Sequence, residues 1–314
     1  MDITKSPGRL FYEELRLLTK DTFEAIQRLN KICTVRNTHY VFVNDHIGDV
    51  IISLGYLRAY RDKMQLGNVT IVITEKYAKL AECYADDYDE VKLIPQYDLY
   101  RIFLLNSTTF GQKLLIRKYS NVLFINPADS ARIGFDYLKC FPDITLEKMI
   151  KYGCYCLDDK AMFRPLPQIE SKSQSKQKCA LLLLEARTVD LEAASVLEAI
   201  VPELRRLGYQ IYTNTRDKDS CVKYTTPIYL EISELREFVN DGVLIGVRSG
   251  LHDLLQYQGC KVIAMYPYEY GYGNLFSLKM MPETRSDNLE VYLTGDDEID
   301  RKKIINFVRG KRSD

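Results

Sequence analysis

The chain has 314 residues, of which 46% are hydrophobic, so it is long enough for two domains of roughly 150 residues, each with its own core. The 43 acidic side chains balance the 43 lysines and arginines, which argues against a nucleic-acid partner. No apolar run approaches the ~20 residues of a membrane span, and the N-terminal residues lack the apolar core of a signal peptide. We therefore expect a cytoplasmic protein, with the inner face of the membrane as the alternative location.

The eight cysteines form no Cys-x-x-Cys pair, and no histidine follows them at zinc-finger spacing. We interpret them as reduced thiols that pack in the interior. No Asp-x-Asp motif stands at the end of a predicted strand either. The sequence therefore predicts neither a metal site nor a cofactor.

The predicted elements of the first half alternate between helices and strands. Apolar residues at helical spacing in residues 9–32 predict one or two leading helices. Short apolar runs rich in β-branched residues then alternate with helical stretches. The predicted strands are Tyr40–Val43, Val69–Thr74, Val91–Ile94 and Asn121–Ile125, and the predicted helices are Gly48–Arg61 and Tyr77–Cys83.

A polar, proline-punctuated stretch, PLPQIESKSQSKQK, then interrupts the alternation. It predicts a linker over residues 166–178, between an N-terminal domain of residues 1–165 and a C-terminal domain of residues 179–314. The strands predicted after it are Cys179–Leu184, Gln210–Thr213, Val243–Ile245 and Lys261–Met265, and the helices are Leu191–Leu207, Ser233–Asn240 and Asp296–Arg309. Strands separated by helices indicate parallel sheets in two Rossmann-like α/β domains. The last helix is a candidate for packing back on the N-terminal domain.

The first segment that carries chemistry is VFVNDHIGDV, where an apolar strand ends and a helix begins. Ligands of open parallel sheets bind at the carboxyl ends of the strands, so Asp45 and Gly48 are placed on the ligand side. Asp49, in the first turn of the helix, is either a general base or a charge that stabilises the helix dipole. His46 either assists proton transfer or is a solvated loop residue.

The second segment is GVRSGLHD, which also leaves an apolar strand and opens a helix. Unpaired backbone N–H groups at a helix start form an anion cradle, and Arg248 can make two parallel bonds to a phosphate. Ser249 and Gly250 offer hydroxyl and amide donors to the same anion. Asp253 is either a capping acid or a ligand contact, and His252 either contacts the ligand or packs in the interior.

A third cluster follows the strand predicted at Cys179–Leu184. Arg187 either pairs with a phosphate or bridges to Glu185, and Thr188 lies beside it on the ligand side. The glycine-rich fingerprints of dinucleotide-binding enzymes and P-loop proteins are absent, and so is the Gly-x-Ser-x-Gly elbow of esterases. These absences argue against dehydrogenase, kinase and esterase functions.

Two segments together resemble a known family. The pairing of NDHIGDVIISLGYLRAYR near the start with YLEISELREFVNDGVLIGVRSGLHDLLQYQGCKVIAMYP near the end resembles bacterial glycosyltransferases of the GT-B fold. It is most similar to the heptosyltransferase-like enzymes of glycosyltransferase family 9. The chain departs from that family's pattern at Ser53 and Leu54, which replace a small residue and a proline, and at Arg248, where an acidic residue is common.

The resemblance implies a GT-B architecture, in which two Rossmann-like domains have parallel sheets that face a central cleft. It implies a nucleotide-sugar donor in the C-terminal domain and a saccharide, glycolipid or glycoprotein acceptor in the N-terminal domain. Asp49 matches the family's base, and the turn from Arg248 to His252 matches its diphosphate site.

We therefore predict a metal-independent, inverting glycosyltransferase that acts on a cell-surface saccharide, with peripheral membrane association left open. One alternative is a nucleotide-sugar epimerase or hydrolase of the same fold. The other alternative is a non-catalytic adaptor subunit with a GT-B-like fold.

Overall fold

The computed structural model describes residues 20–106, 109–126, 143–168, 178–184, 186, 189, 191–239, 242–269 and 274–310. The chain divides into two compact units, Met1–Tyr137 with Lys148–Met162, and Leu138–Glu147 with Phe163–Asp314. The change of unit after Met162 lies close to the start of the linker predicted at residues 166–178. Residues 143–147, which the prediction placed in the first domain, belong to the second unit.

Unit 1 holds a four-stranded sheet in which all strands are parallel, in the order β3-β2-β1-β4. Its strands are β1 (Thr38–Val43), β2 (Asn68–Thr74), β3 (Glu90–Ile94) and β4 (Val122–Ile125). Its helices are α1 (Thr22–Ile32), α2 (Ile47–Lys63), α3 (Ala78–Glu82), α4 (Gln96–Asn106) and α5 (Thr109–Lys118). A short helix, α6 (Leu146–Lys148), runs into a π-helical turn at Met149–Cys154.

The centre of this sheet is buried on both faces. Strand β1 reads THYVFV, a mixture of β-branched and aromatic residues that favours an extended chain, and Tyr40–Val43 are almost completely buried. Helix α2 follows β1 and is buried throughout Gly48–Leu57. Tyr155, which lies after the π-helical turn, covers α2 and donates a hydrogen bond to the backbone oxygen of Ser53 at 2.9 Å. Helix α2 is therefore buried between the sheet and the segment that carries Tyr155.

Unit 2 holds a six-stranded sheet, again with all strands parallel, in the order β10-β9-β8-β5-β6-β7. Its strands are β5 (Lys178–Leu183), β6 (Tyr209–Asn214), β7 (Thr226–Ile228), β8 (Val243–Val247), β9 (Lys261–Tyr266) and β10 (Leu289–Tyr292). Its helices are α7 (Ala194–Arg206), α8 (Ile232–Phe238), α9 (Gly250–Leu255) and α10 (Asp297–Val308).

Aliphatic side chains form the core between this sheet and helices α7 and α10. Examples are Leu182 and Ile245 on the strands, Ile200 on α7 and Ile304 on α10, none of which is exposed to solvent. Helix α10 packs on α7 and β10 within its own unit. Its packing on the N-terminal domain stays a prediction.

The α/β class and the parallel sheets are confirmed, and most predicted strands lie within a residue or two of the observed bounds. Strands β7 and β10 were not predicted, because neither TPI nor LEVY contains the continuous apolar run that marked a strand as short as β4. Strand β10 reads LEVY, in which Val291 faces the core and Glu290 lies on the opposite face. Helices α4 and α5 were also missed. The predicted leading helix is observed only as α1, since residues 9–19 lie outside the described residues.

Candidate functional site

The loop after β1 lies at the point where the strand order of unit 1 reverses. The chain runs from β1 outward through β2 to β3 and then returns to place β4 on the other side of β1. The strand order therefore reverses between β1 and β4, and open α/β sheets bind ligands at the carboxyl ends of the strands at such a point. The loop from Asn44 to His46, with the start of α2, therefore occupies the topological switch point of its sheet.

Asp49 is the carboxylate at this switch point. It lies in the first turn of α2, its side chain is 9% exposed, and its Oδ2 accepts a hydrogen bond from Nδ2 of Asn44 at 2.7 Å. His46, whose side chain is 50% exposed, has Nδ1 at 3.7 Å from the same oxygen. A helix N-terminus and an amide donor both stabilise a charged carboxylate. The structure thus places Asp49 where either role predicted for it, base or helix charge, is chemically possible.

Asp45 is bound by its own unit on both carboxylate oxygens. Oδ1 accepts a hydrogen bond from Thr74 at 2.6 Å, and Oδ2 accepts from Lys76 at 2.7 Å and from the side-chain amide of Gln96. These partners lie at the end of β2, just after it and at the start of α4. Asp45 therefore ties three segments together at the ligand edge of the sheet. Its contact with an acceptor stays a prediction.

The turn after β8 occupies the corresponding position in unit 2. Starting from β5, the chain goes outward to β6 and β7, then returns to β8 on the other side of β5 and continues to β9 and β10. This is the strand order of doubly wound sheets that bind nucleotides at the carboxyl ends of the two central strands. Arg248, Ser249 and Gly250 follow β8 directly at that point.

Arg248 is buried and bound within the turn. Its side chain is 5% exposed and forms a two-bond ion pair with Asp253, with Nη2 at 2.5 Å from Oδ1 and Nη1 at 3.2 Å from Oδ2. Nε donates to the backbone oxygen of Phe276 at 2.9 Å, and Nη1 also donates to that of Ser249. Burial raises the pKa of Asp253, against the guanidinium that favours its charged form. A phosphate that bound Arg248 would therefore compete with Asp253.

His252 is fully buried and fixes the position of Ser249. Its Nε2 lies 3.2 Å from the backbone oxygen of Ile263, which can only accept, so Nε2 carries the proton. Nδ1 then accepts from the backbone N–H of Ser249 at 3.2 Å, with the Ser249 hydroxyl at 3.3 Å. Burial, together with the Arg248 charge, lowers the pKa of His252 to about 3. The histidine is neutral at physiological pH.

A buried network that the sequence did not reveal supports this turn from the side of β9 and β10. One carboxylate oxygen of Glu290 accepts from the hydroxyls of Tyr266 and Ser277, both at 2.9 Å, and from the backbone N–H of Leu278 at 2.6 Å. The residue before Ser277, Phe276, supplies the oxygen that Arg248 binds. The loop after β9 is thereby clamped to the turn after β8. Glu290 was missed because its strand was not predicted.

Two predicted site residues, Arg187 and Thr188, lie outside the described residues. Within the part of the chain that the structure describes, no three His, Cys, Asp or Glu side chains are grouped so that they could hold a metal ion. Among the described helices, none has the length and apolar character that a membrane crossing needs.

Comparisons with known proteins identify the fold. No protein-family model and no curated protein sequence matches this chain. Among solved structures, E. coli ADP-heptose LPS heptosyltransferase II is similar over 86% of this chain and 97% of its own length, with a TM-score of 0.54 and 10% identity.

Two further solved structures give the same result. A family 9 glycosyltransferase from Veillonella parvula covers 87% of this chain and 96% of its own length, with a TM-score of 0.54 and 15% identity. The E. coli heptosyltransferase WaaC, solved with ADP-2-deoxy-2-fluoro heptose, covers 87% of this chain and 99% of its own length, with a TM-score of 0.54 and 10% identity. The protein therefore has the GT-B fold that the sequence predicted.

Proposed function

We propose that this protein is a glycosyltransferase that transfers a sugar from a nucleoside diphosphate donor to a saccharide acceptor, with inversion and without a metal ion. The observation that carries the proposal is the position of the two chemistry-bearing loops. Each occupies the switch point of its own sheet, in a fold shared with heptosyltransferases, one of which was solved with an ADP-heptose analogue.

In unit 1, the proposed chemistry is proton removal from the acceptor hydroxyl. Asp49 takes the proton as the hydroxyl oxygen forms a bond to the anomeric carbon and the bond to the departing diphosphate breaks. The hydrogen bond from Asn44 holds the carboxylate in place. His46, half-exposed beside it, is the candidate for passing the proton to solvent.

In unit 2, the proposed chemistry is stabilisation of the diphosphate. The Ser249 hydroxyl and the Gly250 amide are the proposed donors, and Arg187 and Thr188 remain candidates for the same role. Fixed donors that need no rearrangement stabilise developing charge effectively, which is the physical basis of a metal-free mechanism. Arg248, with Asp253 and the Phe276 oxygen, holds these donors in position.

The first experiment is a binding and product assay. The thermal stability of the protein is measured with UDP, GDP, ADP and CMP, and the nucleotide sugars of any stabilising base are then tested with and without saccharide acceptors. Transfer only in the presence of an acceptor supports the glycosyltransferase. Products from the donor alone indicate the epimerase or hydrolase, and no binding of any nucleotide indicates the adaptor subunit.

The second experiment tests Asp49. Asp49→Asn should lower turnover by roughly 10²- to 10⁴-fold and leave donor affinity nearly unchanged, because the proton is removed only as the acceptor attacks. The matched control is Asp62→Asn, which changes an exposed carboxylate in the same helix. A helix-charge role predicts instead a stability loss of about 0.3 to 1 kcal/mol with turnover intact. Near-normal turnover would remove Asp49 from the mechanism.

A further inference from the structure

We propose that Asp45 is a positioning residue for Asp49 and not a contact for the acceptor. It acts through Asn44, whose side-chain amide forms hydrogen bonds with both aspartates. This inference rests on the proposed function, in which Asp49 removes a proton from the acceptor hydroxyl. It assigns to Asp45 the task of fixing the direction of the Asp49 carboxylate.

The carboxylate of Asp45 is occupied by donors of its own unit. Its side chain is 12% exposed, and Oδ1 accepts from the Thr74 hydroxyl at 2.6 Å. Oδ2 accepts from Lys76 at 2.7 Å and from the side-chain amide of Gln96, and the Lys76 ammonium balances the negative charge. Three of the roughly four acceptor positions of a carboxylate are therefore filled. Little capacity is left to bind an acceptor hydroxyl.

The backbone of Asp45 fixes the orientation of the Asn44 amide. The Asp45 N–H lies 2.8 Å from Oδ1 of Asn44, and an N–H can only donate, so the oxygen end of the amide faces Asp45. The NH₂ end consequently faces Asp49 and donates to its Oδ2 at 2.7 Å. A reversed amide would set two donors against each other on one side and two acceptors on the other.

The loop is anchored on both sides of β1. The Asn44 backbone N–H donates to the oxygen of Ile125 on β4 at 3.2 Å. On the other side, the Asp45 backbone oxygen accepts from the Tyr77 hydroxyl at 3.3 Å, and its carboxylate binds the end of β2. Without that carboxylate, the Asp45 backbone and the Asn44 amide can turn. The Asp49 carboxylate then loses its fixed direction towards the acceptor.

The first test separates positioning from acceptor binding by steady-state kinetics. With the donor and acceptor pair that the wild-type protein uses, Asp45→Asn should lower kcat by roughly 10- to 100-fold, because a misplaced reacting group slows the chemical step. The KM for the acceptor should stay within about threefold, since uniform binding is not changed. Asp62→Asn, an exposed carboxylate of the same unit, is the matched control and should change neither constant. A large rise in acceptor KM with kcat intact would make Asp45 an acceptor contact.

The second test is a double-mutant cycle with Asn44→Ala, which removes the link between the two aspartates. If Asp45 acts through Asn44, Asp45→Asn should lower kcat by less than about twofold in the Asn44→Ala background. A loss in that background as large as in the wild-type protein would show that Asp45 affects transfer by another route.

A third measurement needs no substrate. Proton–nitrogen NMR spectra are recorded on protein labelled with ¹⁵N only in asparagine, and the Asn44 side-chain signal is assigned by its loss in Asn44→Ala. The signal should shift in Asp49→Ala and also in Asp45→Ala, because each change alters the surroundings of the same amide. Asp62→Ala should leave it in place. An unchanged signal in Asp45→Ala would overturn the inference.

The outcomes separate this inference from the proposed function. If the wild-type protein transfers a sugar and Asp45→Asn keeps its kcat, the inference fails while the proposed function stands. If the wild-type protein transfers no sugar from any donor, the proposed function fails. The inference then fails with it, because no proton removal is left for Asp45 to assist.

Discussion

At the scale of single residues, the turn after β8 has the sequence of a phosphate-binding turn, but its arginine binds a carboxylate of the same turn. Arg248 and Asp253, both buried, bind each other through two hydrogen bonds. Removing one member of such a pair leaves the other charge buried and unpaired, at a cost of about 3–5 kcal/mol. A loss of nucleotide affinity in an Arg248 variant would therefore report on the geometry of the turn as well as on any phosphate contact.

His252 gives a pH dependence with a defined sign. Burial and the Arg248 charge lower its pKa from 6.5 to about 3, so between these values the unfolded chain binds a proton that the folded chain does not. Its contribution to stability is therefore intact above pH 6.5 and is lost as the pH falls towards 3. The loss is roughly 1.4 kcal/mol per pH unit.

The measurement is the free energy of unfolding by denaturant between pH 7 and pH 4. The free energy of unfolding should change less with pH in His252→Gln than in the wild-type protein, because glutamine does not titrate. Asp253 has a raised pKa and contributes in the opposite direction, so the comparison of the two proteins isolates the histidine. Equal pH dependence in the two proteins would show that folding does not lower the pKa of His252.

At the scale of elements, the ends of neighbouring strands decide where the site residues lie. The turn after β8 is fixed from three directions: by β9 through His252, by the loop after β9 through Phe276, and by Asp253 on α9. The loop is held in turn by Glu290 on β10. The position of the proposed phosphate donors thus depends on the packing of three adjacent strands.

Gly246, which lies on β8 two residues before Arg248, permits the close approach of β8 and β5. It is in register with Leu183, and a Cβ placed on it would overlap the backbone oxygen of that residue. We expect Gly246→Ala to lower the free energy of unfolding by about 1–3 kcal/mol, because the strands must separate. Thermal and denaturant unfolding measure the change. Gly67→Ala is the matched control, since a Cβ placed on Gly67 would have no atom within 4 Å, and it should leave stability nearly unchanged.

At the scale of the whole molecule, each unit has its own parallel sheet and its own switch point. Unit 1 presents the carboxylate of Asp49 and unit 2 presents the turn at Ser249, so the proposed proton transfer and the proposed diphosphate stabilisation are assigned to different units. This division matches the chemistry of a transfer between two substrates. The proposed mechanism gives no role to a metal ion, because it assigns stabilisation of the leaving group to fixed donors in unit 2.

The metal-free mechanism predicts that transferase activity survives chelation. With EDTA in excess, the initial rate should fall by less than about twofold. An enzyme that needed a metal ion to stabilise the leaving group would lose far more of its activity. The rate is measured before and after EDTA treatment, and again after Mg²⁺ or Mn²⁺ is added. Strong inhibition that either ion reverses would show that a metal takes part.

The places of the two candidate loops in the chain could be predicted from the sequence. The loop after β1 and the turn after β8 were found because an apolar strand followed by a polar turn and a helix start is a local pattern, and parallel sheets put such turns on the ligand side. Asp49, His46 and Ser249 lie in these turns as expected. The alternation of elements put these loops after strands, but the strand order that makes their positions switch points came only from the structure.

What the sequence by itself determined is therefore the fold class, the paired sheets and the two turns, because these depend on periodicity and on residues near one another in the chain. Only the tertiary structure decided that Arg248 binds Asp253 and that Asp45 binds Lys76. It also placed Glu290 beneath the loop after β9, and Arg216 on Tyr229. Apart from the Arg248–Asp253 pair, these partners are separated by more than ten residues, so no local pattern encodes them. Even for that pair, spacing alone did not distinguish an ion pair from two ligand contacts. The structure decided it, because both side chains are buried against each other.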